Sequence, residues 1–225
     1  MSSIVNRQVS HALSWLLMVT MFGMAACALP GCSLGVMFGK MFFGDPKIKC
    51  QFRSATGVDL TKGEDSILIA CSAPHSILSR FPGIPIDLVD RMSRHLKTRN
   101  VKIISADDVA TWFDDHGEWG DFSELAEKFK ADYVMHFEME SFSCDVPDSA
   151  NLQQGKVQGK ITMLDTTKPS EPTVAFERAF SVSYPDYPVP KENKSEQLFR
   201  ESFLDKISVS LAQILYDHRA SETVN

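Results

Sequence analysis

"LAEKFKADYVMHFEMESF", residues 125–142, changes its period part-way. Leu125, Ala126 and Phe129 fall with Phe122 on one stripe of a helix spanning 121–130. From Asp132 onward the spacing is two. Tyr133, Met135, Phe137 and Met139 point one way, and Val134, His136, Glu138 and Glu140 the other. That alternation predicts a half-solvated strand over 132–142.

Working back from there, "SILIAC" at 66–71 is a continuous apolar run of six, which suits a buried strand. Residues 72–85 hold three prolines and a glycine and read as a loop. Ile86, Val89, Met92 and Leu96 then recur at helical spacing over 86–98. Val101–Ile104 is a short strand. Ser105 with Asp108 opens a helix running to about His116, and Gly117 and Gly120 break it. A weak first strand lies at 48–52.

Working forward, 157–164 and 173–183 are two more strands. The turn-rich TTKPSEP between them makes an antiparallel pair. Residues 184–194 carry three prolines and read as loop. Residues 194–218 form a long helix whose stripe is Leu198, Phe203, Ile207, Leu211, Ile214 and Leu215. The last residues, 219–225, read as a frayed tail. The order is (β)-β-α-β-α-α-β-β-β-α. A strand–helix–strand start requires a crossover and so parallel pairing, while the later strands pair by hairpins. The expected fold is α/β (α+β mixed): a two- or three-layer sandwich with a mixed sheet, preceded by an N-terminal signal or anchor helix.

With 225 residues and 44% hydrophobic composition, the chain holds one domain plus a leader, or at most two small domains. Net charge is −6, which argues against general nucleic-acid binding. The leader is the stretch 12–29, ALSWLLMVTMFGMAACAL, uncharged and apolar behind a weakly basic start. It reads as a secretory signal or a retained membrane helix, since about 20 apolar residues span a bilayer. Leu29-Pro30-Gly31-Cys32 resembles a bacterial lipobox, with Pro30 where Ala or Ser is usual. Cys32 is therefore the expected lipidation site. Met24-Ala25-Ala26-Cys27 makes Cys27 the runner-up, and a plain uncleaved anchor is the remaining reading. All three tie the chain to a membrane; a bacterial lipoprotein carries two or three acyl chains (palmitate among them), which hold more firmly than one. Ser33 in place of Asp after Cys32 leans towards the outer membrane. The expected segments are 1–31 signal or anchor, 32–63 tether and linker, 64–218 folded domain, and 219–225 tail.

Candidate chemistry is sparse. His136, Glu138 and Glu140 are potential metal ligands on one strand face, but i, i+2 and i+4 spread over roughly 13 Å, too far to share an ion. Asp114, Asp115, Glu118 and Asp121 surround two glycines without matching an EF-hand loop. They suit a helix–helix connection with acids at the next helix start. Cys71 has His75 four residues on, a spacing that matches no cysteine-hydrolase signature. Disulfides of Cys71 with Cys144, or involving Cys50, are open in an oxidising envelope. No phosphate-binding, dinucleotide, nucleophile-elbow or zinc-protease motif is present. No catalytic residue, cofactor, metal site or small-molecule substrate is assigned.

The segment 64–142, with SILIACSAP, IDLVDRMSRHL and the helix-to-strand ADYV, resembles bacterial envelope proteins of the curli-secretion lipoprotein class and the N-terminal domain of the Tol-system propeller protein. The resemblance implies a membrane-anchored, periplasm-facing α/β domain that acts in protein binding or assembly, without catalysis, on envelope proteins or on its own copies. The rival expectations are a membrane-tethered hydrolase or metal-dependent enzyme, and an auxiliary subunit of an envelope transport complex. An open sheet edge or exposed apolar patch marks a module; convergent titratable groups in a sizeable pocket mark an enzyme.

Overall fold

Alternation after Asp132 places β4, Tyr133–Asp145, at the centre of a five-stranded mixed sheet. In this computed structural model the residues described are 46–116, 122–168 and 172–223. All of them after Pro46 belong to a unit running from Lys47 to Asn225. The sheet order is β3-β2-β4-β5-β6. β2 (Ser66–Ser72) lies parallel to both β3 (Lys102–Ile103) and β4. β5 (Leu152–Asp165) and β6 (Thr173–Pro190) follow β4 as an antiparallel meander. The expected mixed α/β sandwich is the fold observed.

Between β2 and β3 stand a short α2 (His75–Leu78) and α3 (Ile84–Lys97). α4 (Ala106–His116) and α5 (Phe122–Phe129) join β3 to β4. α6 (Glu196–Ala212) closes the chain over β4 and β5. One face of the sheet, carrying Ile67, Ile69, Met135 and Phe137, packs on Leu88, Met92 and Leu96 of α3 and on Phe199, Phe203 and Ile207 of α6. The other face, carrying Leu68, Ala70 and Val134, is covered by Val109 and Trp112 of α4 and Leu125 and Ala126 of α5. The body is three layers thick over the parallel strands. Over the distal meander the second face is bare, with Glu138, Glu140, Lys156 and Gln158 exposed.

The ADYV element earns its place by hydrogen bonding. Lys130 turns the chain out of α5 at φ +50°. The Asp132 carboxylate then accepts from both the amide and the hydroxyl of Ser66, each at 2.7 Å. Asp132 N–H donates back to Ser66 O, and Thr166 donates to Asp132 O and Ala131 O. The turn is thus pinned to β2 and β5 at once, with Ala131 buried beside it.

Several expectations change. β4 is not half-solvated at its start: Val134 and His136 are buried, because α4 and α5 roof the face that alternation assigned to water. On α3 the buried row is Ile84, Leu88, Met92 and Leu96, while Ile86 is 61% exposed. The helix starts two residues earlier than its spacing suggests, with Pro85 in the first turn where its missing N–H costs nothing. α6 stops at Ala212 rather than 218; Ile214, Leu215 and Tyr216 fold under as a buried turn, and Leu198 faces out.

The folded body also begins before residue 64. β1 (Lys47–Ile48) pairs antiparallel with β7 (His218–Arg219), and α1 (Gln51–Thr56) replaces the expected strand at 48–52. Cys50, Phe52 and Leu60 are buried in the main core. Asp217 fastens this segment: it accepts from Cys50 N–H at 2.9 Å and pairs with Arg53 at 2.7 Å. The expected frayed tail is likewise structured: Arg219 belongs to β7, Ala220–Thr223 form a 3-10 turn, and Glu222 pairs with Arg99 at 3.0 Å.

Candidate interaction surfaces

The candidate groups do not converge. Cys27 and Cys32 lie outside the described residues, as do Glu118 and Asp121. Asp114 and Asp115 are in the last turn of α4. Among the described residues no group of three or more His, Cys, Asp or Glu is arranged to hold a metal ion. His136 is separated from Glu138 and Glu140 by the helical roof: it is buried, while they face water. Its Nε2 shares a 2.7 Å hydrogen bond with Ser72 Oγ. Burial, with Lys160 adding, holds its pKa down to about 4, so the ring is neutral at pH 7.

Cys71 sits near the end of β2, its thiol directed to Ser72 O at 3.9 Å. Burial pushes its pKa up to about 12, the opposite of what a nucleophile needs. His75 opens α2 and is exposed. Cys50, Cys71 and Cys144 are all free thiols, so the disulfides left open by the sequence are not formed. A cleft of about 110 Å³ lies between α3 and α4, lined by Ile69, Cys71, Ile86, Val89 and Val109. Ser72 and His136 do not line it. Its size falls well below the roughly 300 Å³ that a drug-sized ligand fills.

What the fold does present is an edge. The two outer strands of the sheet are unequal: β3 has two residues, β6 has 18. Among the described residues β6 pairs only with β5 along its length. An unpaired strand of this length offers a row of backbone donors and acceptors to another chain. Residues 184–194, expected as loop, are mostly strand: β6 continues to Pro190, with Leu152 and Gln153 paired to Pro190 and Val189. The three prolines fit because an edge strand has one side on which no N–H is needed. Gln154 Nε2 holds the interruption by donating to Pro185 O and Asp186 O, each at 3.0 Å. The stretch from Thr173 to Tyr184 is free of proline, and Val174, Glu177, Arg178, Ala179 and Ser181 are exposed along it. The sequence signalled this strand as far as 183; the prolines concealed the rest.

No protein-family profile and no curated protein matches the chain. Solved structures do match. Lipoprotein GNA1162 from Neisseria meningitidis is 14% identical at a TM-score of 0.43, covering 67% of this chain and 97% of that one. The PelC dodecamer from Paraburkholderia phytofirmans is 11% identical at 0.41, covering 76% and 96%. The LpoB C-terminal domain from Salmonella enterica is 10% identical at 0.34, covering 59% and 95%. These are likenesses of outline. Among the described residues no helix is long and apolar enough to cross a membrane.

Proposed function

We propose that the chain is a bacterial envelope lipoprotein, tethered through lipid on Cys32 with Cys27 as the alternative acceptor, and that its α/β body binds envelope proteins or further copies of itself. It works facing the periplasm, with the outer membrane favoured by Ser33. The finer resemblance to the curli-secretion lipoprotein class and the Tol-system propeller's N-terminal domain belongs to the same reading. The observation that carries the binding role is the edge of β6, 18 residues long and, among the described residues, paired on one side only. A two-residue β3 at the other end of the sheet is how an unwanted edge is kept short; β6 is not shortened in this way. The hydrolase and metal-enzyme readings find no comparable support, since Cys71, His75, His136, Glu138 and Glu140 point to different surroundings.

The test places a photocrosslinking amino acid at Ala179 or Ser181 on β6, and at Lys97 or Glu127 as controls, in cells expressing the full chain. Crosslinks to a protein from the β6 positions, and few from the controls, are expected. Equal yields from all four, or none from β6, refute the edge as the binding site.

A further inference from the structure

Beside the β6 edge lies a trough of about 320 Å³. Phe180, Ser181 and Val182 line it consecutively, so the strand's own backbone forms part of one wall. Ile214 of the turn after α6 and Ile48 of β1 supply apolar surface opposite. Lys49, Arg178 and His218 complete the rim, and among the described residues no acidic side chain lines it. Lys47 and Arg219 are paired in register on the neighbouring β1–β7 ribbon, adding two more cations. Among the described residues none of Lys47, Lys49, Arg178 and Arg219 has a carboxylate partner within salt-bridge distance. Arg178 bonds only neutral groups, Gln51 Oε1 and Ala179 O. The acid beside it, Glu177, is tied to Lys160 at 3.3 Å. A chain of net charge −6 has therefore gathered positive charge, unpaired by any described carboxylate, beside the middle of one strand edge.

We infer that this trough and the adjoining β6 edge receive an extended segment of a partner protein that carries an acidic side chain two residues from an apolar one, so that both face the trough. The inference rests on the binding role proposed above and names the partner's chemistry. Strand addition supplies the main-chain hydrogen bonds, and alternate side chains of the added strand enter the pocket beside it. The apolar residue seats against Val182, Ile214 and Ile48. The acidic residue meets Arg178 and Lys49, where a bidentate guanidinium–carboxylate pair fixes register. A flat anionic membrane would satisfy the cations but makes no use of a strand edge or a recessed apolar wall.

The test uses the full chain in detergent with fluorescein-labelled peptides of sequence Thr-Val-Thr-Asp-Thr-Val-Thr, in which Val and Asp share one face, and the same peptide with Lys in place of Asp, read by anisotropy and by amide exchange. The Asp peptide is expected to bind at least tenfold tighter and to slow exchange across 178–182. Arg178→Glu, at an exposed position, lowers that affinity at least tenfold. Ser210→Trp, which fills the trough without changing charge, does the same. Equal binding of the two peptides overturns the inference. So does phosphatidylglycerol vesicle binding that protects Lys47–Lys49 while no peptide protects β6. Crosslinking from Ala179 or Ser181 without acidic-peptide binding defeats the inference and leaves the edge reading standing; absence of both defeats the two together.

Discussion

Replacing Gly159 by alanine tests the geometry on which the edge strand depends. Gly159 is in β5, opposite Met139 of β4 on one side and Phe180 of β6 on the other. Phe137 and Phe180 meet edge to face beside this glycine, with centroids 5.3 Å apart at 75°. A Cβ on residue 159 would lie 2.3 Å from Glu138 O, 2.7 Å from Phe137 Cε2 and 3.1 Å from Met139 Cα. Ordinary contact begins near 3.4 Å, so the carbonyl has to retreat by about 1 Å, and it belongs to the backbone of the central strand. Overpacking of this kind costs about 1–3 kcal/mol. Parting the two rings adds about 0.5–1.5 kcal/mol. The sum is about 2–4 kcal/mol, and a domain of this size loses roughly 2–4 °C per kcal/mol, so Tm should fall by roughly 5–15 °C. Thermal unfolding by circular dichroism measures this. Amide exchange should show the loss of protection concentrated in β6, because Phe180 is its fully packed anchor in the core and the ring pair seats it. Phe137→Leu in the same chain should recover part of the loss by making room. A Gly159→Ala protein melting within 2 °C of the parent refutes the close approach of β4 and β5.

The buried imidazole gives a pH prediction. His136 is held at about 4 while an unfolded histidine titrates near 6.5, so the unfolded chain takes up this proton first as pH falls. Stability should drop by roughly 3 kcal/mol from this group between pH 6.5 and pH 4. Urea titrations at both pH values should show a smaller drop for His136→Gln, and identical drops contradict the buried, neutral ring. The thiols of Cys50, Cys71 and Cys144, pushed up by burial to about 11, 12 and 11, should resist iodoacetamide at pH 8 until guanidinium unfolds the chain. Rapid native labelling at any of them breaks the packing described. Cys32→Ala should leave the folded body unchanged and release it from membranes in cell fractionation; full retention on membranes assigns the anchor to Cys27 or to an uncleaved helix.

Local periodicity determined most of the element order by itself. The switch from spacing three-and-four to spacing two at Asp132 is a backbone preference written in consecutive side chains, so the α5–β4 junction needed no distant partner to be legible. The apolar run at 66–71 likewise announced a strand covered on both faces, which implies parallel neighbours. Tertiary contacts decided what alternation could not. His136 occupies a polar position in the pattern, yet α4 and α5 close over it, and only the three-dimensional roof removes its water. Residues 47–63 carry weak local signals and take their conformation from Asp217, more than 150 residues on. The prolines after Ser183 suggested a loop because their missing N–H groups would break a central strand. Among the described residues β6 has a strand neighbour on one side only, and which strand is left at the edge is a property of the assembled sheet, not of any stretch of sequence.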